Sequence, residues 1–215
     1  MKGENTMKNK KEEFLSKVAG KDVTTETFDW ENLSERLCKY YSDQFDTWWD
    51  PARFNWKDSS QYLCLYLPHK FDQWWDPDRF NWEHSSCDLC GRLPHKFDIW
   101  WDPTRFNWKS SHCLCIYLAD KFDIWWDPEK FSWELASTFL CSKLSCKFDT
   151  WWIFMKSRVT SNLYVNLVQH CGEYLPKWFD PDQIPWNEIP LSFWEKYCSM
   201  FEGTWKPYYM MRKLE

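Results

Sequence analysis

The chain has 215 residues, a formal net charge of −5, and aromatic residues at 21% of its positions, with Trp contributing 19 of them. That aromatic content excludes a disordered chain, which carries few aromatics, and the acidic balance argues against a general nucleic-acid binder, which carries a basic face. No run of 18 apolar residues is present, so no membrane-spanning helix is expected.

The first residues, MKGENTMKNKKEEF, are polar where a secretory signal needs an apolar stretch, so the cytoplasm is the expected site of action. Ten Cys would suit a disulfide scaffold, but such scaffolds are short and poor in core. Reduced thiols are the expectation for this long, aromatic-rich chain. Residues 1–27 match nothing downstream and are expected to cap the fold. Within them, residues 8–19 have the pattern of an amphipathic helix, with Phe14, Leu15 and Val18 inward and Gly20 ending it.

From residue 28 the chain repeats itself. Trp pairs stand at 48–49, 74–75, 100–101, 125–126 and 151–152, and a degenerate Trp178-Phe179 follows. Phe-x-Trp triplets run in step at 28–30, 54–56, 80–82, 106–108 and 131–133, as does a cysteine column of Cys38, Cys64, Cys90, Cys115 and Cys141. The unit reads F-N-W-x-x-S-S-x-x-L-C-x-x-L-P-H-K-F-D-x-W-W-D-P-x-R over about 26 residues. Such a period marks a repeat architecture. Within one unit, Trp56, Ser60, Leu63, Cys64, Leu67, Phe71, Trp74 and Trp75 are spaced as a helical face, not as the alternation of a strand. Pro68 interrupts that face, which predicts a helix at about 56–67 and a shorter one at about 68–75. Asp76-Pro77 then opens a turn, with the Asp placed to cap it.

The expected fold is therefore an all-α solenoid of about six degenerate helix–turn–helix repeats over residues 28–186. Residues 187–215 close the far end, where PLSFWEKYCSMF has its own apolar period. One unit departs from the pattern: IFMKSRV at 153–159 stands where DPxRFNW is due. The sequence leaves open whether this is a kink, an insertion or a functional loop.

Function in a solenoid is sought at positions that vary between units, because the repeated ones are used in stacking. The two positions after the cysteine column vary most. They put Tyr40, Tyr66, Arg92, Tyr117 and Lys143 off the apolar face, and Tyr and Arg are favoured in binding hot spots. The bland alternative is a tolerant solvent face. A second candidate is a tetrahedral zinc set of Cys87, Cys90, His112 and Cys115, spaced three apart on each of two consecutive long helices. Against it, Cys90 and Cys115 belong to the repeated column, which packing alone explains. The recurring Lys and Asp beside the Trp pairs predict a ladder of ion pairs between repeats. The Ser-Ser pairs at 59–60, 85–86 and 110–111 read as small packing residues. No Gly-rich phosphate loop and no nucleophile–base arrangement is found, so an enzyme is not expected.

Paired Trp in an aromatic-rich repeat resembles, in composition, the choline-binding modules of cell-wall proteins. Those modules are Gly-containing β-hairpins on secreted proteins, whereas Gly occurs five times here and the period is helical. The deduced geometry is similar to leucine-rich-variant repeats, which pair an α-helix with a 3-10 helix, although their leucine motif is missing. The expected function is a non-enzymatic, intracellular scaffold that binds another protein, as an effector or inhibitor, with no cofactor unless zinc is held. The alternative is a module that stacks exposed aromatics on a sugar or a quaternary ammonium. Trp exposure separates the two: buried Trp favours the scaffold.

Overall fold

The computed structural model describes residues 9–158 and 160–180, with the isolated positions 192 and 196. Among them every regular element is helical and no strand occurs, and the architecture is an all-α repeat solenoid. The C-terminal cap expected at 187–215, and Trp186 at the end of the repeats, lie outside the described residues. The chain divides into two compact units, 1–107 and 108–215.

The first unit contains α1 (Lys10–Ala19), α2 (Trp30–Tyr40), α3 (Phe45–Trp48), α4 (Trp56–Tyr66), α5 (Phe71–Trp74), α6 (Trp82–Arg92) and α7 (Phe97–Trp100). Here α4 packs between α2 and α6, and α1 packs on α3. The second unit contains α8 (Ser111–Tyr117), α9 (Phe122–Trp125), α10 (Trp133–Leu144), α11 (Phe148–Met155), α12 (Ser161–His170) and α13 (Leu175–Trp178). There α10 packs between α8 and α12. Helix α1 is the expected N-terminal helix. Asn9 caps it, Leu15 and Val18 are buried, Phe14 sits edge-on to Tyr41 at 5.3 Å, and Gly20 ends it at φ 68°.

One repeat shows why this sequence folds this way. The Asn55 carboxamide oxygen accepts from the Asp58 N–H at 3.2 Å and starts α4. The helix buries Leu63 and Cys64 completely. It stops at Leu67, whose backbone leaves the helical region at φ −128°, ψ 35°. Pro68–Lys70 follow as one turn of 3-10 helix, and α5 continues from Phe71. The second helix read from the sequence is thus a 3-10 turn joined to a four-residue α-helix.

A proline disfavours helical backbone in the residue before it, but proline is not the common cause of the break. Leu118, Leu144 and Tyr41 have nearly the same dihedrals, yet Ala119, Ser145 and Ser42 follow them. The shared feature is the first Trp of each pair. Its indole N–H donates to the carbonyl of the residue at the break: Trp48 to Tyr41 at 2.8 Å, Trp74 to Leu67 at 2.7 Å, Trp100 to Leu93 at 2.8 Å, Trp125 to Leu118 at 2.7 Å and Trp151 to Leu144 at 2.8 Å. Each of these five Trp is at most 1% exposed. Burying one indole covers about 150–250 Å², a gross gain of about 4–6 kcal/mol at about 25 cal/mol per Å².

The second Trp of each pair stacks on the Phe four residues before it; Trp75 on Phe71 is at 5.1 Å and 24°. The Phe-x-Trp triplet of the next repeat then covers its flank, with Phe80 at 5.2 Å and Trp82 at 5.6 Å from Trp75. Between them, Asp76 makes the expected turn. Its carboxylate accepts from the Asp78 N–H at 3.1 Å, and its carbonyl accepts from the Phe80 N–H at 3.0 Å.

The departure begins as a helix extension over residues 153–155, followed by a turn at 156–158. In place of a turn after the Trp pair, α11 runs on through Ile153, Phe154 and a fully buried Met155. Thr160 caps α12 by accepting from the Leu163 N–H at 3.3 Å. Helix α12 still packs on α10, so stacking continues past the departure.

Candidate functional site

The repeated side chains are occupied by the fold itself. The second Ser of each Ser-Ser pair is buried and links two repeats, a role beyond small size. Ser60 Oγ donates to the Trp56 carbonyl at 2.5 Å and accepts from the backbone N–H of Asn81, 21 residues on, at 3.1 Å. Ser34 with Asn55, Ser86 with Asn107, and Ser111 with Ser132 repeat the arrangement at 3.1, 3.1 and 3.3 Å. The Asn carboxamide adds a second link. Asn55 Nδ2 donates to the Glu31 carbonyl at 2.9 Å, and Asn81 Nδ2 donates to the Lys57 carbonyl.

The charged columns form the expected ladder. Lys70 pairs with Asp46 at 2.8 Å, Lys96 with Asp72 at 2.8 Å, Lys147 with Asp123 at 2.6 Å and Lys177 with Asp149 at 2.5 Å. Each of these Lys also lies over an aromatic ring; Lys96 is 5.7 Å from the centroid of Phe71. Arg105 reaches back to Asp78 at 2.6 Å. Asp46, Asp72, Asp123 and Asp149 are thus partners within the stack.

What varies lies outside this scheme. Tyr40 is 65% exposed and Tyr117 48% exposed, and Arg92 and Lys143 are exposed as well. Tyr66 is half-buried and stacks on Tyr62 at 6.3 Å. Lys39 Nζ lies 5.2 Å from the Tyr40 centroid. In the first unit Tyr40, Tyr66 and Arg92 occupy the last turns of α2, α4 and α6. In the second, Tyr117 and Lys143 occupy those of α8 and α10. A polar groove of about 350 Å³ lies on the long-helix side of the first unit, lined by Lys57, Asp58, Gln61, His84 and Ser85.

The four residues of the expected zinc set are divided between the units. Cys90 and Cys115 are fully buried in the core of their own units, Cys87 and His112 are half-buried, and Cys87 is disulfide-bonded, which corrects the expectation of reduced thiols at that position. Burial pushes the Cys115 thiol up to about 12, and it raises Cys38 and Cys64 as well. The cysteine column is thus a small apolar stripe of the core.

Sequence reasoning does not single out one further feature. In the second unit, α11, α12 and α13 enclose a cleft of about 200 Å³ lined by Trp152, Lys156, Tyr164, Lys177, Trp178, Phe179 and Asp180. Its signal in the sequence is the missing Phe-x-Trp after Trp152. Compared with family models, curated proteins and solved structures, the chain matches none of them.

Proposed function

We propose that the chain is a non-enzymatic repeat scaffold that binds another protein in the cytoplasm, as an effector or inhibitor would, through the long-helix faces of its repeats. The carrying observation is the division of labour between columns. Positions identical from repeat to repeat are consumed by stacking, capping and ion pairs. Of the positions that differ, Tyr40, Arg92, Tyr117 and Lys143 are exposed and Tyr66 is half-buried, and Tyr and Arg are the residue types favoured at interface hot spots. The burial of the first Trp of every pair also favours the scaffold over a module that presents its Trp to a sugar or an ammonium group. No cofactor enters this reading.

The test is capture from the source cytoplasm, with the native chain compared to a Tyr66→Ala, Arg92→Ala, Tyr117→Ala variant of unchanged helical content. One dominant protein is expected to be captured by the native chain. Its direct titration should weaken by at least about tenfold in the variant, because a hot-spot truncation costs at least about 1–2 kcal/mol. Equal binding by the two chains removes these residues from the interface.

A further inference from the structure

The second Trp of a pair is half-buried and normally has ring contacts to the next Phe-x-Trp. Trp49, Trp75 and Trp126 each meet the next Phe at 5.2 Å, and the next Trp at 5.7, 5.6 and 5.8 Å respectively. Trp152 is the exception. IFMKSRV supplies no Phe-x-Trp after it, and its ring contacts are Phe148 at 5.3 Å and Trp151 at 6.4 Å. The cleft of about 200 Å³ opens beside this half-buried ring, which among the described residues has no Phe-x-Trp against it. For comparison, an engineered apolar cavity of about 150 Å³ holds one benzene. The cleft therefore has room for an aromatic ring in the neighbourhood where the repeat pattern would have supplied its own.

Its polar groups favour an anion on that ring. Lys156 stands one turn after Trp152 on α11 and is exposed. Lys177 joins it, although Asp149 holds its ammonium group at 2.5 Å. With Lys177 held by Asp149 and Asp180 the single carboxylate in the lining, Lys156 is the lining cation that has no ion pair among the described residues. The Tyr164 side chain is 1% exposed, and its hydroxyl has no hydrogen-bond partner among the described residues. A buried hydroxyl without a partner costs about 1–3 kcal/mol, so a ligand oxygen placed there would relieve that cost. Burial and the nearby Asp180 carboxylate push the Tyr164 phenol up to about 12, which keeps it a donor at neutral pH. The Trp178 indole N–H is already given to the Cys171 carbonyl at 2.9 Å, so that ring acts as an apolar wall.

We infer that the cleft between Trp152, Tyr164 and Trp178 binds an aromatic ring bearing a carboxylate, with the ring beside Trp152 and the carboxylate at Lys156 and the Tyr164 hydroxyl. Such a group belongs either to a small aromatic acid or to the C-terminal aromatic residue of a peptide.

The test is calorimetric titration of the full chain with N-acetyl-tryptophan, N-acetyl-tryptophanamide, N-acetyl-leucine, and a tetrapeptide ending in Trp with a free carboxylate. N-acetyl-tryptophan is expected to saturate with a Kd of about 0.1–1 mM, the scale for a ligand of this size, and the amide and the leucine derivative to bind at least about fivefold more weakly. Lys156→Gln and Tyr164→Phe should each weaken the acid about three- to tenfold and leave the amide unchanged. Lys156→Gln removes no contact that the fold uses, so its thermal unfolding should stay where it was, and Tyr164→Phe removes an unpartnered buried hydroxyl, so it should unfold no earlier than the native chain. Trp152→Leu should remove binding of both Trp derivatives. Tighter binding of the peptide than of the small acid assigns the slot to a peptide terminus, and the reverse assigns it to a free acid. The inference is overturned if the full chain shows no saturable heat with either, or if acid and amide bind alike and Lys156→Gln changes neither.

Discussion

Adjacent serines in α4 test whether hydrogen bonds between repeats, and not packing alone, hold the stack together. Ser59 and Ser60 are 3% and 1% exposed and lie in the same helix. Ser60 Oγ accepts from the Asn81 N–H at 3.1 Å, while the Ser59 hydroxyl makes no such link to the next repeat. Ser→Ala brings the same gain in helix propensity at both sites, less than about 0.7 kcal/mol, so the difference between the two variants cancels it. The Trp56 carbonyl loses one of its two partners and keeps its helical bond. The Asn81 N–H loses its acceptor, and an unpaired buried donor costs about 1–3 kcal/mol. Asn81 is half-buried, so water reaches part of the vacancy, which puts the expected difference at about 1–2 kcal/mol. Urea unfolding followed by far-UV circular dichroism reads it as a lower midpoint for Ser60→Ala than for Ser59→Ala at equal slope. If the two variants unfold within about 0.3 kcal/mol of each other, the serine link contributes nothing, and the column exists for its small size alone.

Four further outcomes are expected. Trp74→Phe loses the indole bond to Leu67 and some core volume, a cost of about 2–3 kcal/mol. Trp125→Phe should cost more, because no proline follows Leu118 to hold the break; equal unfolding midpoints would show that the indole bond is not what enforces it. A double-mutant cycle on Lys96 and Asp72 should give a coupling of about 0–1 kcal/mol that fades in added salt, since the Asp72 side chain is 72% exposed; a larger, salt-insensitive coupling would contradict this. At pH 8 a thiol reagent should modify the exposed Cys146 first and reach Cys38, Cys64, Cys115 and Cys141 only on unfolding, as timed mass spectrometry reads directly. These raised thiols are protonated in both states below about pH 8. Above the ordinary value of 9.0 the unfolded chain ionises first, so stability should fall steadily as pH rises toward the folded-state value of about 12 for Cys115. A flat stability curve over that range would place the thiols in contact with water.

The helical period, the break after Leu67 and the lysine ladder were all legible because each depends on identity between units of one chain. The serine link was less legible. A recurring Ser at a helical face position reads as a small side chain, and nothing local announces that its acceptor role is taken up 21 residues later. In the sequence Asn55 and Asn81 read only as the middle of Phe-x-Trp, yet they cap the long helices and tie them to the preceding one. The cleft beside Trp152 was readable only as an absence. It required knowing that Phe80 and Trp82 cover Trp75, a contact that spacing does not reveal. The exposure of Tyr40 followed from helical phase, but the half-burial of Tyr66 depends on its stacking with Tyr62, which no other repeat can copy.

The serine–asparagine link has a direction. The backbone N–H that it satisfies belongs to the later repeat, and the buried acceptor belongs to the earlier one. A nascent chain leaves the ribosome in that same order. At about 5–20 residues per second, each 26-residue repeat takes about 1–5 s to emerge, whereas helices form within about a microsecond. The order of synthesis therefore presents the buried hydroxyl of one repeat before the backbone N–H that it accepts from the next.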